Sequence, residues 1–251
     1  MSIDISHTYI ERDAILGADI HWKDAVITYS QTTHRGTLLE FVNRPQWGTS
    51  CFMNSTIQSC MSDEYEYHTS LVNPCFEKNP DSNNIVAIFG GGEGATAREV
   101  LRHANVSHVD MYEWDRDVVN VFQRIFPHWA RGAWHDKRLN VHIEDAFAYI
   151  LKIHNGTYNG VIVDLFEPED QSFAEWKAFL TQVYRILGDS GSMSMYIGMY
   201  DRQAGGIIQR QMCGLATDLG FLGVRMLRRY IPSYLGEACF LVAEKAASDS
   251  E

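Results

Sequence analysis

A run of glycines, Gly90-Gly91-Gly92-Glu93-Gly94, is the feature of the sequence with the clearest chemical meaning. It follows the apolar segment IVAIF and precedes ATAREVLRHA, whose apolar residues have helical spacing. Glycine lets the backbone turn sharply after a strand and approach a ligand without a Cβ collision. On its own, the run is also consistent with a tight strand–helix turn that binds nothing.

Glu113 is an acid that could bind the same ligand as the glycine run. It ends the next strand candidate, HVDMYE, about 20 residues beyond the glycines, where an acid accepts hydrogen bonds from ribose hydroxyls in nucleotide-binding α/β sheets. Gly90, Gly92 and Glu113 together therefore predict an adenosine site at the carboxyl edge of a parallel sheet.

Two further acids come directly after strand candidates. Asp145 follows LNVHI and precedes a helical segment, so it could cap that helix, accept the exocyclic amine of adenine, or do both. Asp164 ends GVIVD and is followed by Leu165-Phe166-Glu167-Pro168. Because the carboxyl ends of the strands form the binding edge of an open sheet, we expect both acids at the crevice. The alternative for Asp164 is a structural role, with its carboxylate satisfied by turn amides.

The elements that must position these residues change character near residue 80. Residues 24–60 are rich in β-branched and aromatic residues between turns, which predicts a small antiparallel meander, and residues 63–77 have the features of a helix that ends near Pro74. After the polar linker at 77–84, strands and helices alternate, which predicts a parallel, helix-covered sheet with an antiparallel edge. The predicted strands of this second part are IVAIF, HVDMYE, LNVHI, GVIVD, SMSMYI, VRMLRR and EACFLVAE.

Composition narrows the functional class. The chain has 21 Lys and Arg against 32 Asp and Glu, and a net charge of −11 repels nucleic acid and attracts cationic ligands. We find neither a signal peptide nor an apolar run long enough for a membrane helix. The five cysteines include no CxxC pair and the histidines no ligand-like spacing, so we expect a reduced, cytoplasmic protein without a metal site.

Taken together, these motifs resemble the polyamine aminopropyltransferases, the family of spermidine, spermine and thermospermine synthases. The run GGGEGATAREVLRH resembles the thermospermine synthase version most, and the resemblance extends from about residue 26 to residue 243. The segments that carry it are Ile57-Gln58, Asp63-Glu64-Tyr65-Glu66-Tyr67-His68, Gly90 to Gly94, Glu113, Asp145-Ala146, Asp164 to Pro168 and Ile231-Pro232-Ser233-Tyr234.

The resemblance implies a seven-stranded, Rossmann-like methyltransferase-type domain preceded by a small antiparallel β domain. We place the division at residues 1–78 and 79–251, with donor and acceptor bound in the cleft between the two domains. It also implies transfer of the aminopropyl group of decarboxylated S-adenosylmethionine onto a di- or polyamine, which releases methylthioadenosine. That donor is a co-substrate; we expect no prosthetic group, no nucleic-acid or membrane partner, and a homodimer or homotetramer.

Residue roles follow from the same resemblance. Asp164 is the predicted base that takes the proton of the attacking amine, and Tyr67 orients that amine. Glu93 is predicted to hold the ammonium of the aminopropyl arm, although an acid at a helix N-terminus is also favoured by the helix dipole. The other predicted donor-site residues are Gly90, Gly92, Glu113, Asp145, Ala146, Gln58 and His68; Glu167, Tyr67, Tyr196 and Tyr234 are the predicted acceptor-site residues.

Four departures from the family pattern concern the acceptor. His34-Arg35 stands where the family has Tyr-Gln, Met53-Asn54-Ser55 replaces Leu-Asp-Gly, and Met195-Tyr196 replaces Thr-Gln. The segment after Pro168 is several residues shorter than the family's gatekeeping loop, so it would seal the acceptor pocket less completely or admit a bulkier amine. Two alternatives stay open: an amine N-methyltransferase that uses intact S-adenosylmethionine, and a non-catalytic relative.

Overall fold

The computed structural model describes residues 8–13, 17–77 and 84–247, so most of the expected linker, at 78–83, lies outside the described residues. The chain divides into two compact units. The first unit is Met1–Glu66 with Tyr230–Gly236, and the second unit is Tyr67–Arg229 with Glu237–Glu251. In the described part of the chain, none of the helices has the length and apolar character needed to cross a membrane.

The first unit contains two antiparallel sheets. A two-stranded sheet pairs β1 with β2, and a four-stranded sheet has the order β3-β4-β5-β6. The expected meander over 24–60 is thus present, with one more strand than the three segments read from the sequence. The strands are β1 (Thr8–Asp13), β2 (Ala18–Lys23), β3 (Val26–Thr32), β4 (Leu38–Arg44), β5 (Gly48–Met53) and β6 (Thr56–Cys60).

Helix α1 (Glu64–Val72) contains the boundary between the units, and a 3₁₀ turn at Asn73–Phe76 follows it. The helix expected over 63–77 therefore stops as an α-helix before Pro74, whose ring cannot continue it. The unit boundary falls within this helix, earlier than residue 78. The first unit also takes in the turn Pro232–Tyr234, because Ser233 donates two hydrogen bonds to Asp63 from its backbone N–H and its hydroxyl.

The second unit is a seven-stranded sheet with the order β12-β13-β11-β10-β7-β8-β9. The pairs β9–β8, β8–β7, β7–β10 and β10–β11 are parallel, and β13 runs antiparallel to β11 near the edge. The α/β fold class expected from the sequence is confirmed. The strands are β7 (Ile85–Gly90), β8 (His108–Glu113), β9 (Leu139–Ile143), β10 (Tyr158–Asp164), β11 (Leu187–Met199), β12 (Leu222–Ile231) and β13 (Gly236–Glu244).

Helices cover this sheet and bury its apolar strands. The longest is α5, whose Ser172 and Glu175 form a reciprocal capping box and whose buried side chains include Trp176 and Phe179. These rings pack in one core with Phe89 and Val163. The helices are α2 (Ala95–Leu101), α3 (Arg116–Arg124), α4 (Ala146–Tyr149), α5 (Phe173–Ile186) and α6 (Ile207–Asp218), with 3₁₀ turns at Ala133–His135, Ile150–Lys152 and Pro168–Asp170.

The strand order reverses between β7 and β10. From β7 the chain adds β8 and β9 on one side of the sheet, whereas β10 and β11 lie on the other side. In open α/β sheets the ligand crevice opens at such a reversal, outside the carboxyl ends of the strands. The last residues of β7 and β10 are therefore the positions at which a site is expected.

Candidate active site

Gly90 and Asp164 stand side by side at this reversal, as register partners at the ends of β7 and β10. Gly90 has a φ of +88°, and a Cβ on it would overlap the backbone carbonyl oxygen of Asp164. Only glycine fits both the conformation and the close approach. The first glycine of the run thus brings Asp164 against the turn that leads into α2.

Asp164 accepts one hydroxyl on each carboxylate oxygen. The hydroxyl of Tyr67 donates to Oδ1 over 2.9 Å, and the hydroxyl of Thr96 donates to Oδ2. The carboxylate is half-buried, so it keeps a path to a ligand. Asp164 and Tyr67, which are both predicted to act on the acceptor amine, therefore lie next to each other.

Glu93 and His68 form the neighbouring contact. His68 Nε2 lies 2.5 Å from Glu93 Oε1, with side-chain exposures of 3% and 13%. Among the described residues, Oε1 has no hydrogen-bond partner of good geometry despite this close approach, so the carboxylate is not fully satisfied. His68 follows Tyr67 in α1, and their rings lie 5.0 Å apart. Two adjacent helix residues therefore contact the two acids: Tyr67 binds Asp164, and His68 lies against Glu93.

Glu167 lies on the loop after β10, where Tyr196 binds it. The Tyr196 hydroxyl donates to Glu167 Oε1 over 2.5 Å, and the Tyr196 ring lies 5.6 Å from that of Tyr67. The protein packed around Glu167 desolvates its carboxyl and raises its pKa to about 7; the nearby acids Glu169 and Asp170 add to this, and the Tyr196 hydroxyl opposes it. The predicted acceptor residues Tyr67, Tyr196 and Glu167 are therefore brought together.

Glu113 ends β8 next to the glycine run. A Cβ on Gly92 would lie 2.8 Å from Glu113 Oε2, so this second glycine leaves room for the carboxylate. Burial raises the pKa of Glu113 to about 7, against backbone N–H groups of Asp115, Trp114 and Gly92 that donate to it. The Asp115 N–H donates to Oε1 over 3.0 Å.

Asp145 caps α4. Its Oδ1 accepts the Ala148 N–H over 3.0 Å, while the residue itself is exposed and Ala146 is buried beside it. The capping alternative is therefore the one present in the structure. The second oxygen of this exposed carboxylate has room to accept a further hydrogen bond, so an additional contact with adenine is compatible with the cap.

Gln58 and Tyr234, by contrast, lie in the first unit. The Tyr234 hydroxyl donates to the carbonyl oxygen of Gln58, and the Gln58 amide donates to the Thr56 carbonyl over 3.3 Å. Their proposed contacts with donor and acceptor stay predictions. Arg35 is exposed in the turn between β3 and β4.

The sequence reading missed two buried residues of the second unit. Thr96, in the first turn of α2, binds Asp164; its place two residues after the glycine run, at the start of a helix, was the available signal. Gln209, in α6, donates to the carbonyls of Ile197 and Met199 over 3.1 and 3.0 Å. These bonds flank the irregularity of β11 at Gly198 (φ +87°), where a Cβ would lie 3.1 Å from Glu167 Oε2.

In the described part of the chain, the acids of this site have no arginine or lysine partners. Glu93 contacts His68, and Asp164 and Glu167 accept hydrogen bonds from hydroxyl groups. Carboxylates held at a strand edge without cationic partners attract a positively charged ligand, and a carboxylate fixed by hydroxyls is suited to accept a proton. The fold and these residues define a Rossmann-like unit with a cluster of acids at the carboxyl ends of its strands.

Comparison with known proteins gives the family. Residues 64–250 match the family model of the spermine/spermidine synthase domain, which takes in nearly all of the second unit. The chain belongs to the spermine/spermidine synthase family.

Curated relatives agree with this assignment. A polyamine aminopropyltransferase of Pyrobaculum calidifontis is 37% identical over 150 residues, which cover 58% of this chain and 52% of that protein. One of Pyrobaculum aerophilum is 34% identical over 174 residues, 67% of this chain and 58% of that protein. The chain thus spans little more than half the length of these curated relatives.

Solved structures share the fold over a longer span. The crystal structure of spermidine synthase from Thermotoga maritima has a TM-score of 0.82 at 21% identity, and covers 96% of this chain and 80% of that one. A spermidine synthase in complex with the transition state analogue AdoDATO has a TM-score of 0.85 at 20% identity, with coverages of 96% and 81%.

Proposed function

We propose that this protein is a transferase that moves the aminopropyl group of decarboxylated S-adenosylmethionine onto a di- or polyamine and releases methylthioadenosine. The observation that carries the proposal is the set of acids at the strand reversal, Glu93, Asp164 and Glu167, without arginine or lysine partners in the described chain, and with Tyr67 on the central one. Both substrates of the proposed reaction are cations, which such a site favours.

Glu93 would select the donor. Its carboxylate contacts His68 and pairs with no arginine or lysine of the described chain, so it is suited to the ammonium of the propylamine arm. The intact methyl donor carries a carboxylate on the same arm, and two carboxylates about 4 Å apart repel by roughly 4 kcal/mol at an effective dielectric of 20. Glu113 would bind the ribose hydroxyls and Asp145 the adenine amine, with Gly90 and Gly92 allowing close approach of the backbone.

Asp164 would act on the acceptor. An alkyl ammonium has a pKa of about 10.4, so removing its proton at pH 7 costs roughly 4–5 kcal/mol, and a fixed carboxylate beside the nitrogen lowers the barrier by accepting that proton. The freed lone pair attacks the propyl carbon next to the sulfonium. The carbon–sulfur bond breaks, its electron pair stays on sulfur, and neutral methylthioadenosine leaves.

Glu167 would hold a second ammonium of the acceptor. Tyr196 orients the carboxylate, and an ammonium beside it favours the ionised form of a group whose pKa is about 7 without a ligand. A di- or polyamine can occupy Asp164 and Glu167 together, whereas a monoamine cannot. We also propose that His68, Ala146 and Gln58 contribute to the donor site and Tyr234 to the acceptor site, that the two units correspond to separate domains, and that the protein works as a homo-oligomer.

The proposal is tested by incubating the purified protein with decarboxylated S-adenosylmethionine and a panel of mono-, di- and polyamines. Mass spectrometry should detect an acceptor heavier by one aminopropyl group and an equal amount of methylthioadenosine. A methylated amine formed from intact S-adenosylmethionine, or no product with any amine, would reject it.

Asp164→Asn supplies the residue-level control. It keeps the side-chain volume and removes the proton acceptor, so turnover should fall by about 10²–10⁴-fold while calorimetric donor affinity changes little. Turnover at the wild-type rate would remove Asp164 from the proposed reaction.

A further inference from the structure

Thr96 directs its hydroxyl away from its own helix. In helices this hydroxyl commonly returns to the backbone carbonyl four residues earlier. Thr181 in α5 and Thr217 in α6 do so, bonding the carbonyls of Lys177 and Cys213 over 2.7 and 3.1 Å. Thr96 is fully buried in the first turn of α2, and its hydroxyl instead donates across the sheet edge to Asp164 Oδ2.

The local backbone is built to allow this contact. A Cβ on Gly91 would lie 3.4 Å from Thr96 Cβ and 3.6 Å from Asp164 Oδ2, so the backbone at position 91 lies directly beside both partners. The β-branched Thr96 side chain also has few rotamers in a helix, which limits where its hydroxyl can point.

Two hydroxyls on opposite oxygens fix the rotation of the Asp164 carboxylate. Tyr67 binds Oδ1 from α1, and Thr96 binds Oδ2 from α2. Turning the carboxylate about its Cβ–Cγ bond breaks both hydrogen bonds. Each oxygen has two lone pairs, so both retain one for the proton of a ligand.

We propose that Thr96 is a positioning residue for the reaction, which holds the Asp164 carboxylate in the orientation that accepts the proton of the attacking amine. The inference rests on the proposed function, because it assigns Thr96 a part in the step in which Asp164 is the base. Thr96 itself exchanges no proton with the substrate, so its effect should appear in the rate of the chemical step more than in binding.

The first test compares Thr96→Val with Thr96→Ser. Valine keeps the volume and branching of the side chain and removes the hydroxyl, so kcat should fall by about 10- to 100-fold, as expected when a reacting group is misplaced by a fraction of an ångström. The KM for both substrates should change less than about threefold, since binding groups are untouched. Serine restores the donor and should return kcat to within about threefold of the wild type.

Thr217→Val is the matched control, because it makes the same change in an exposed helical threonine whose hydroxyl bonds its own helix. It should leave kcat unchanged. A Thr96→Val kcat within twofold of the wild type, or a Thr96→Ser kcat as low as that of Thr96→Val, would overturn the inference.

Two further measurements separate this inference from the proposed function. If Thr96 acts through Asp164, Thr96→Val should have no added effect on the residual rate in an Asp164→Asn background; an undiminished effect there would contradict it. A crystal structure of Thr96→Val reports on orientation without any activity assay. We expect the Asp164 carboxylate to be rotated, and an unchanged carboxylate would overturn the inference even if the wild type proved to have no transferase activity.

Discussion

Glu113 and Glu167 are carboxyl groups whose pKa is raised by the protein around them. Burial raises the pKa of each to about 7, so near neutral pH each is ionised in only part of the molecules without ligand. A cation that binds beside such a group favours the ionised form and releases a proton. Binding at Glu167 should therefore depend on pH within the physiological range.

This gives a test for Glu167. Between pH 6 and pH 8 its ionised fraction rises about tenfold around a pKa of about 7, so the KM of a diamine should fall by up to that factor as the pH rises. Steady-state kinetics with a diamine and a monoamine of equal chain length would measure it. The monoamine has no second ammonium for Glu167, so its KM should not show the fall with pH that ionisation of Glu167 causes. Glu167→Gln should abolish the difference between the two amines, and an unchanged difference would remove Glu167 from the acceptor site.

Some of the site residues could be predicted from the sequence, and others could not. Asp164 could be named from its type and its position at the end of a strand, whereas the roles of Glu93, Glu167 and Tyr67 were predicted from the family resemblance. The Thr96 contact could not be predicted, because a hydroxyl in the first turn of a helix has several local partners and only the packing of α2 against β10 selects Asp164. Gln209 was missed for the same reason, since its two carbonyl partners lie on another element.

At the scale of elements, the site depends on the close pairing of β7 with β10. Gly90 is where that pairing is tightest, and its positive φ adds a conformational requirement. The strand–glycine–helix pattern predicts such a turn, whereas the contact with the Asp164 carbonyl depends on which strand becomes the neighbour of β7.

Gly90→Ala should therefore destabilise the protein. The added methyl overlaps the Asp164 carbonyl oxygen and is strained at a φ of +88°, so the free energy of unfolding should fall by about 2 kcal/mol or more. Gly214→Ala is the matched control: this glycine is exposed in α6 with open space around it, and alanine there should raise the free energy of unfolding by up to about 1 kcal/mol. Urea denaturation measures both, and equal stability of the two variants would contradict this account of the β7–β10 pairing.

The hydrophobic pattern of the sequence predicts some of the secondary-structure elements and misses others. The alternation of apolar strands and amphipathic helices after residue 85 predicts the seven strands of the second unit. The hairpin β1–β2 was not predicted, although Ala18, Ile20 and Trp22 alternate with polar residues along β2, because the strand is short and buries none of its side chains fully. The assignment of Tyr230–Gly236 to the first unit rests on the Ser233–Asp63 hydrogen bonds, which join residues 170 positions apart.

At the scale of the whole molecule, charge is the property that bears on substrates. The chain carries a net charge of −11, and the acids of the site have no arginine or lysine partners in the described part of the chain. Long-range attraction of a cationic acceptor therefore adds to the local contacts, and salt screens it over about 10 Å at 0.1 M ionic strength.

The salt dependence of kcat/KM tests this contribution. Raising the ionic strength from about 0.05 to 0.5 M should lower kcat/KM for a polyamine several-fold, because encounter is screened. The decrease of kcat/KM with ionic strength should be steeper for acceptors with more ammonium groups. Amines of different charge therefore serve as controls for general effects of salt on the enzyme. A kcat/KM that is independent of salt for every acceptor would exclude electrostatic attraction by the whole chain.

Glu93 is proposed to select a donor arm that carries an ammonium and no carboxylate. Isothermal titration calorimetry of the protein with decarboxylated and with intact S-adenosylmethionine measures this selection, with Glu93→Gln as the companion variant. We expect at least about tenfold tighter binding of the decarboxylated donor, since each tenfold corresponds to about 1.4 kcal/mol of the charge repulsion, and a smaller ratio in Glu93→Gln. Equal or tighter binding of the intact donor by the wild-type protein would show that Glu93 does not select the ammonium.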